Sequence, residues 1–368
     1  MRDVDITVHR PGTLTEADRA VWSALQAKAP QNGAPELANP FLSPEFALAV
    51  AHHRRGVRIG VVRENGDPVA FLPFQHGAGG VGRAIGLGLS DCQGLVHGPD
   101  FLVEPRALLR GLGLNVYEFD HLAGESQPFA AHASGRFASP VLDVGEGWGP
   151  ALEALRRRSP KFTRTTLAKE RKLEREHGEL RYAHDERDPA ALATLMRWKS
   201  AQYRRTGRGD RFAHAWVSGL AGRLLQTTAP GGAGLLSVLY AGERPVAAHF
   251  GLRSAHVLAC WFPAYDPAYA KYSPGLVLHL RMARAAAAEG IAYLDLGRGP
   301  EGYKESLRTR ELTVLEGWAT RRHPVAYAYR ARRTPARAAR NTVRTHSALF
   351  TPADRLLKGV GRLRSGGR

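Results

Sequence analysis

The sequence predicts a mixed α/β (α+β) protein built from two tandem units and a basic tail. Three observations predict it. Capped helical segments and short apolar strand segments alternate along residues 15–320. A turn, a proline and an apolar strand occur twice, as Gly66-Asp67-Pro68-Val69-Ala70-Phe71 and as Gly242-Glu243-Arg244-Pro245-Val246-Ala247. Asp120 ends a strand 52 residues after Pro68, and Asp295 ends one 50 residues after Pro245. Such spacing points to a duplicated unit. The chain has 368 residues, more than one hydrophobic core usually supports. The expected division is 1–150, 151–320 and a tail over 321–368.

The elements follow in order. Thr15–Ala27 reads as a helix with Thr15 as N-cap and Asp18 at the third helical position. Ser43 caps a second helix, with Pro44 at its first position. Val57–Arg63 and Val69–Phe74 are strands joined by the turn Glu64-Asn65-Gly66-Asp67. Gly77–Gly98 is glycine-rich, and Asn115–Leu122 is a buried strand. The second unit begins near Ala151. Ser159–His177 is a basic helix ended by Gly178, and Glu179–Ala183 is a strand. Helices over Pro189–Arg205 and Ala213–Gln226 precede strands Gly234–Tyr240, Val246–Leu252 and His256–Phe262. Pro274 opens a helix that runs to Ala288. The strand Ala292–Leu296, a helical turn after Pro300 and the strand Leu312–Ala319 complete the unit.

Charge is unevenly placed. Net charge is −4 over 1–150, +10 over 151–320 and +12 over 321–368, for a total of +18. The tail therefore holds two thirds of the excess, which suits an anionic surface. Its residues Leu356, Leu357, Val360 and Leu363 recur at helical spacing, so an amphipathic membrane-surface helix and a disordered tail are both open. The core offers no DNA-binding signature. No apolar run is long enough to span a bilayer, and the N-terminus has no secretory h-region. Cys92 and Cys260 match no metal spacing and form no disulfide framework. A cytoplasmic protein, peripheral at the inner membrane face through residues 326–368 of its tail, is expected. No metal is expected.

The chemistry-bearing stretch is Tyr293-Leu294-Asp295-Leu296-Gly297-Arg298-Gly299-Pro300-Glu301-Gly302-Tyr303-Lys304. A strand ends on an acid, turns through glycines and enters a helix at a Tyr-Lys pair. About twenty residues earlier, Tyr272-Ser273-Pro274-Gly275 opens an apolar helix. A helix start offers free backbone N–H groups to phosphate. The plain structural reading is an ordinary Ser N-cap with Pro at the first position.

As an ordered set, these residues resemble the GNAT acyltransferase superfamily, in its double-domain CelD-like (cellulose-biosynthesis-type) branch, related to the Fem-type transferases. The first half contributes Asn39-Pro40-Phe41-Leu42-Ser43-Pro44-Glu45-Phe46, Leu89-Ser90-Asp91-Cys92-Gln93-Gly94 and Phe119-Asp120-His121-Leu122. The second contributes Pro245-Val246-Ala247-Ala248, Tyr272-Ser273-Pro274-Gly275, and Asp295-Leu296-Gly297-Arg298-Gly299 with Tyr303-Lys304. The resemblance covers about residues 15–320. It implies two tandem GNAT-like domains, each a mainly antiparallel sheet flanked by helices. The second would bind acetyl-CoA or another acyl-CoA as co-substrate in the gap between splayed strands. Lys271-Tyr272-Ser273-Pro274-Gly275 stands where the family usually has a glutamine- or arginine-led glycine-rich loop. Tyr272, Ser273, Pro274, Gly275 and Leu276 form the expected donor-binding helix start.

Four residues are catalytic candidates. Asp295 can orient or deprotonate an amine, or cap the Gly297–Gly299 turn. Tyr303 can protonate a leaving thiolate and Lys304 can oppose an oxyanion, or both can be plain helix-surface residues. His249 has the titration range of a base, although a lone strand histidine is ordinarily structural. Cys260 reads as a small buried hydrophobe. The basic helix carrying Lys161, Arg164, Lys169, Arg171, Lys172 and Arg175 also holds Glu170, Glu174 and Glu176, and reads first as a solvated face. The expected activity is N-acyl transfer to an amine of a small-molecule or lipid-linked envelope, polysaccharide or lipid precursor. Asp120 is expected to be structural. A Fem-like transferase using aminoacyl-tRNA and a non-catalytic membrane-surface scaffold are the rivals.

Overall fold

The structure is a computed structural model that describes residues 4–333 except 87, 230, 231, 300 and 301. The tail hypothesis for 326–368 falls mostly outside the described residues.

The first half begins with β1 (Val4–His9), followed by α1 (Glu16–Lys28) and α2 (Pro44–His53). Next come β2 (Val57–Glu64), β3 (Asp67–Gly77), β4 (Val81–Arg83) and β5 (Val96–His97). The expected caps form. Thr15 Oγ1 accepts from Asp18 N at 3.0 Å, and Ser43 Oγ accepts from Phe46 N at 3.1 Å. The β2–β3 turn places Asn65 and Gly66 at φ 51° and 92°, the left-handed pair a two-residue hairpin needs. Helix α3 (Pro105–Gly111), β6 (Val116–Ala123) and β7 (Ala133–Asp143) follow.

Two helices, α4 (Trp148–Arg158) and α5 (Pro160–His177), lead into the second half. There β8 (Leu180–Ala183), α6 (Pro189–Thr206), α7 (Ala215–Leu225), β9 (Ala233–Ala241), β10 (Arg244–Arg253) and β11 (Val257–Tyr265) follow in turn. The chain then forms α8 (Pro274–Ala288), β12 (Tyr293–Asp295), α9 (Gly302–Leu307) and β13 (Arg310–Thr320).

The described strands form one sheet in the order β1-β2-β3-β4-β6-β13-β7-β12-β11-β10-β9-β8, with β5 on β3. Among the described strands, only the β4–β6 and β11–β12 pairings are parallel. The order reads nearly the same from either end, with its centre between β13 and β7. The two halves have exchanged their last strands: β13 pairs with β6, and β7 pairs with β12. This symmetry supports the duplication and corrects one detail. Counted from the first parallel pair of each half, Val81↔Val116 and Val257↔Tyr293, Asp295 corresponds to Glu118 rather than Asp120. Glu118 lies 50 residues after Pro68, the same step as from Pro245 to Asp295.

One apolar cluster crosses the halves, joining Trp22, Phe46 and Phe71 to Leu195, Leu224 and Phe250. At its centre Phe41 meets Trp261 edge-on at 5.3 Å, and Trp261 Nε1 donates to Leu89 O at 3.0 Å. Burying several aromatic side chains at one seam stabilises it by about 1.5–3 kcal/mol per side chain. The halves are thereby locked together. No helix among the described residues is long and apolar enough to cross a membrane.

Candidate active site

Strands β11 and β12 pair over only three positions, Val257–Ala259 with Tyr293–Asp295. Beyond them β11 continues to Tyr265 while paired with β10. Leu296 turns the other way, its N–H donating to Pro140 O on β7 at 3.0 Å. The two strands therefore separate at Cys260 and Leu296. A cleft of about 910 Å³ opens there, walled by Cys260, Trp261 and Pro263 on one side and Leu296, Arg298, Tyr303 and Lys304 on the other. Helix α6 and the loop after it supply Lys199, Tyr203, Arg208, Asp210 and Arg211. The first half supplies Asp91.

The structure brings three of the four catalytic candidates to this region. Tyr303 and Lys304 line the cleft, and Lys304 Nζ donates to Gly297 O at 3.1 Å. Asp295 lies just behind it, 5% exposed. Both of its oxygens are used. Oδ1 accepts from Gly297 N at 2.9 Å and Ser139 Oγ at 3.1 Å, and Oδ2 accepts from Asn39 Nδ2 at 2.9 Å. Burial pushes its carboxyl above the usual range, against the pull of these donors and of Lys304. Asp295 thus ties β7, the 39–42 segment and the Gly297 turn together.

His249 is fully buried and is not among the residues that wall the cleft. Its Nε2 accepts from Trp261 N at 3.2 Å, which satisfies a donor freed where β10 and β11 fall out of register. Its Nδ1 has no partner among the described residues. Burial, with His279 and Lys199 nearby, drives its pKa well below the ordinary imidazole value. The His279 ring lies 5.8 Å away, with Nδ1 2.6 Å from Gly275 O and Nε2 also without a partner. The partners set opposite tautomers: His249 Nδ1 carries a proton and His279 Nε2 a lone pair.

The helix start of α8 differs from the expected simple cap. Ser273 adopts a left-handed conformation, φ 51° and ψ 51°, and makes no side-chain cap bond. Its carbonyl accepts the ordinary first helical bond from Val277 N at 3.3 Å and also accepts from Leu276 N at 2.9 Å, so one of the expected free amides is closed. The Gly275 amide remains. Ser273 Oγ instead accepts from Lys169 Nζ on α5 at 2.8 Å. Tyr272 is buried, with its hydroxyl on Glu176 and on His177 Nε2 at 2.9 Å. Pro274 occupies the first helical position. Leu276 borders a pocket of about 480 Å³ together with Ser159, Lys161, Thr165, Thr166 and Lys169. Lys161 and Lys169 bring two cations to a pocket whose walls, with Pro160, Phe162 and Leu276, are otherwise largely apolar. A non-glycine residue held in the left-handed conformation of Ser273 costs about 1–2 kcal/mol, and such strain clusters at binding sites.

The residues that sequence reasoning passed over lie in the first half. Asp91 sits in Leu89-Ser90-Asp91-Cys92-Gln93-Gly94, whose neighbours are fixed on both sides. Gln93 Nε2 donates to Asp120 Oδ1 at 2.6 Å, and Gln93 Oε1 accepts from Asp120 N and His121 N at 3.0 and 3.2 Å. Burial raises the Asp91 carboxyl to about 6; His121 and Lys304 pull it down, Asp295 and Asp120 push it up. Asp120 itself is held low by His121, whose Nδ1 is 3.1 Å away, and by Gln93 against its own burial. The motif was visible in the sequence, but nothing local says that it faces a strand some 200 residues later. Among the described residues no group of three or more His, Cys, Asp or Glu is arranged to hold a metal ion.

Residues 161–305 match the family model described as an acetyltransferase (GNAT) domain. Three of the solved structures that match show the shared fold. FemX is 9% identical with a TM-score of 0.55, over 84% of this chain and 97% of that one. A conserved protein of unknown function from Bacteroides thetaiotaomicron is 11% identical with a TM-score of 0.51, over 82% and 98%. The C-terminal domain of a putative lysylphosphatidylglycerol synthetase from Agrobacterium fabrum is 12% identical with a TM-score of 0.50, over 84% and 95%. No curated protein matches. The domain match over residues 161–305, on a mixed α/β fold, supports an acyltransferase.

Proposed function

We propose that the chain is an acyl-CoA-dependent N-acyltransferase, an acetyltransferase in its simplest form, acting on an amine of an envelope, polysaccharide or lipid precursor. The observation that carries this reading is the separation of β11 from β12, with a pocket bearing Lys161 and Lys169 beside α8 and a polar cleft beside α9. In this reading the second unit holds the donor. Lys161, Lys169 and the Gly275 amide face the CoA phosphates. The acyl arm runs between the separated strands, and the thioester reaches the cleft beside Tyr303 and Lys304.

The amine attacks the thioester carbonyl directly. The C–N bond forms, the oxyanion is opposed by Lys304 and backbone N–H groups, and the C–S bond breaks. Tyr303 gives the departing thiolate its proton. Cleft side chains Lys199, Arg208, Arg211 and Lys304 outnumber Asp91 and Asp210, Arg298 being paired with Glu316, and this favours an acceptor that carries phosphate as well as an amine. The tail beyond residue 333 is proposed to rest on an anionic membrane where such acceptors are made.

A second reading, an aminoacyl-tRNA donor, is favoured by one feature. Lys161, Arg164, Arg171 and Arg175 on α5 are exposed and make no ion pair among the described residues, so they offer a face to a polyanion. Thermal shift with acetyl-CoA, longer acyl-CoAs and aminoacyl-tRNA separates the readings. A ligand at about 100 times its Kd stabilises by about 2.7 kcal/mol, a shift of several degrees. Acetyl-CoA is expected to give that shift. Stabilisation by aminoacyl-tRNA alone would replace this reading with the second.

A further inference from the structure

We infer that Asp91, supplied by the first half, is the catalytic base of the second half's acyl transfer, its carboxylate taking the proton that the acceptor nitrogen loses. The assignment rests on the acyltransferase reading above.

Three observations carry it. Asp91 lines the cleft together with Tyr303 and Lys304, so its carboxylate reaches the space where an acceptor must enter. It makes no hydrogen bond and no ion pair among the described residues, whereas Asp295 has both oxygens engaged by three donors. It is nonetheless held in place. Trp261 Nε1 fixes Leu89 O, the Cys92 thiol lies 3.7 Å from Glu36 O, and Gln93 is locked onto the end of β6. The glycine at 297 leaves room for it, since a Cβ there would stand 3.3 Å from Asp91 Oδ2. A carboxylate with fixed neighbours and empty lone pairs is what a proton acceptor needs.

The step balances. The amine nitrogen bonds to the carbonyl carbon and passes one proton to Asp91. The C–S bond breaks and the thiolate receives one proton from Tyr303. Asp91 then returns its proton through solvent, and Tyr303 regains one. The groups that face Asp91 are Asp120 and His121 on β6, Asp295 at the end of β12, Lys304 on α9, Tyr203 on α6 and the adjoining Cys92. Together with burial they set its carboxyl at about 6, so it is ionised at neutral pH and still basic enough to accept.

The test uses the full chain, wild type, Asp91→Asn and Asp91→Ala. Calorimetry with acetyl-CoA comes first, then release of the CoA thiol with water, glucosamine or ethanolamine as acceptor. The isosteric Asn variant should bind acetyl-CoA within about threefold of wild type yet release CoA at least about 100-fold more slowly. Wild-type kcat/KM should rise with pH through about 6, and the variant should lose that inflection. Formate should restore part of the rate to Asp91→Ala, which a merely structural role would not allow. If wild type binds no acetyl-CoA, the donor reading fails and the base falls with it. If acetyl-CoA binds and the Asn variant keeps its rate or its acid limb, only the base assignment fails. Wild type that binds acetyl-CoA but releases no CoA to any of the three acceptors also counts against it, because there is then no acyl transfer for the carboxylate to serve.

Discussion

Replacing Asp91 by Asn should make the folded protein more stable at pH 8 and leave its stability unchanged at pH 4. The free carboxyl titrates near 3.8 and the folded one at about 6. Between those values the folded state holds the proton more tightly than the unfolded state. Stability therefore falls as pH rises from about 4 to about 6, and the full cost of burying the charge is present above about 6. Two pH units correspond to about 3 kcal/mol. The carboxylate opens on one side to a wet cleft, and screening there reduces the expected effect to about 1–2 kcal/mol. Denaturant titration of wild type and Asp91→Asn at both pH values measures it. A gain at pH 8 that vanishes at pH 4 supports an unpartnered, half-buried acid. A loss at pH 8 would refute the reasoning, since it would mean that the carboxylate is held by donors. Stability gained where activity is lost is the usual signature of a functional group.

Three further outcomes are expected. Asp295→Asn turns one accepting oxygen into a donor facing Asn39 Nδ2, Ser139 Oγ or Gly297 N, and should cost about 1–3 kcal/mol in denaturation as well as slowing turnover. Gly297→Ala forces a side chain onto φ 72° and within 3.3 Å of Asp91 Oδ2, so about 1–2 kcal/mol of stability and most of the turnover should go, with acetyl-CoA affinity retained by calorimetry. Truncation after Arg333 should leave folded protein that binds acetyl-CoA but adheres less to anionic vesicles at low salt. Truncation before Ala326 should lower the melting temperature as well, because Ala326 is buried, Tyr329 meets Trp318 at 6.3 Å and Arg333 lies 3.6 Å from Glu118.

That last contrast moves the tail's start. The sequence shows the last strand ending near 319 and a basic run after it, which made 326 a natural cut. The helical residues 324–333 instead pack across β6 and β13. Spacing in the sequence does not report a docking that depends on one buried alanine and one tyrosine.

By itself the sequence determined the local elements whose signals are local. Thr15 and Ser43 cap where their side-chain oxygens reach the third helical N–H, and Asn65-Gly66 turns because both residues tolerate positive φ. The strand that ends at Asp295, the turn through Gly297 and the Tyr303-Lys304 pair were legible for the same reason. Tertiary structure alone decided the rest. Strand β7 carries Gly135 and Pro140 and alternates poorly, so nothing local marks it; it becomes a strand because β13 and β12 pair with it on either side. Ser273 was legible as a cap position, but only the fold shows its left-handed turn and the Lys169 ammonium that reaches its hydroxyl from another helix. Asp91 and Lys304 are 213 positions apart, and only the exchange of the last strands and the Phe41–Trp261 seam bring them to one cleft. Caps and turns are fixed by atoms a few bonds apart. A site shared between two halves is fixed by which surfaces lose the most water when they meet.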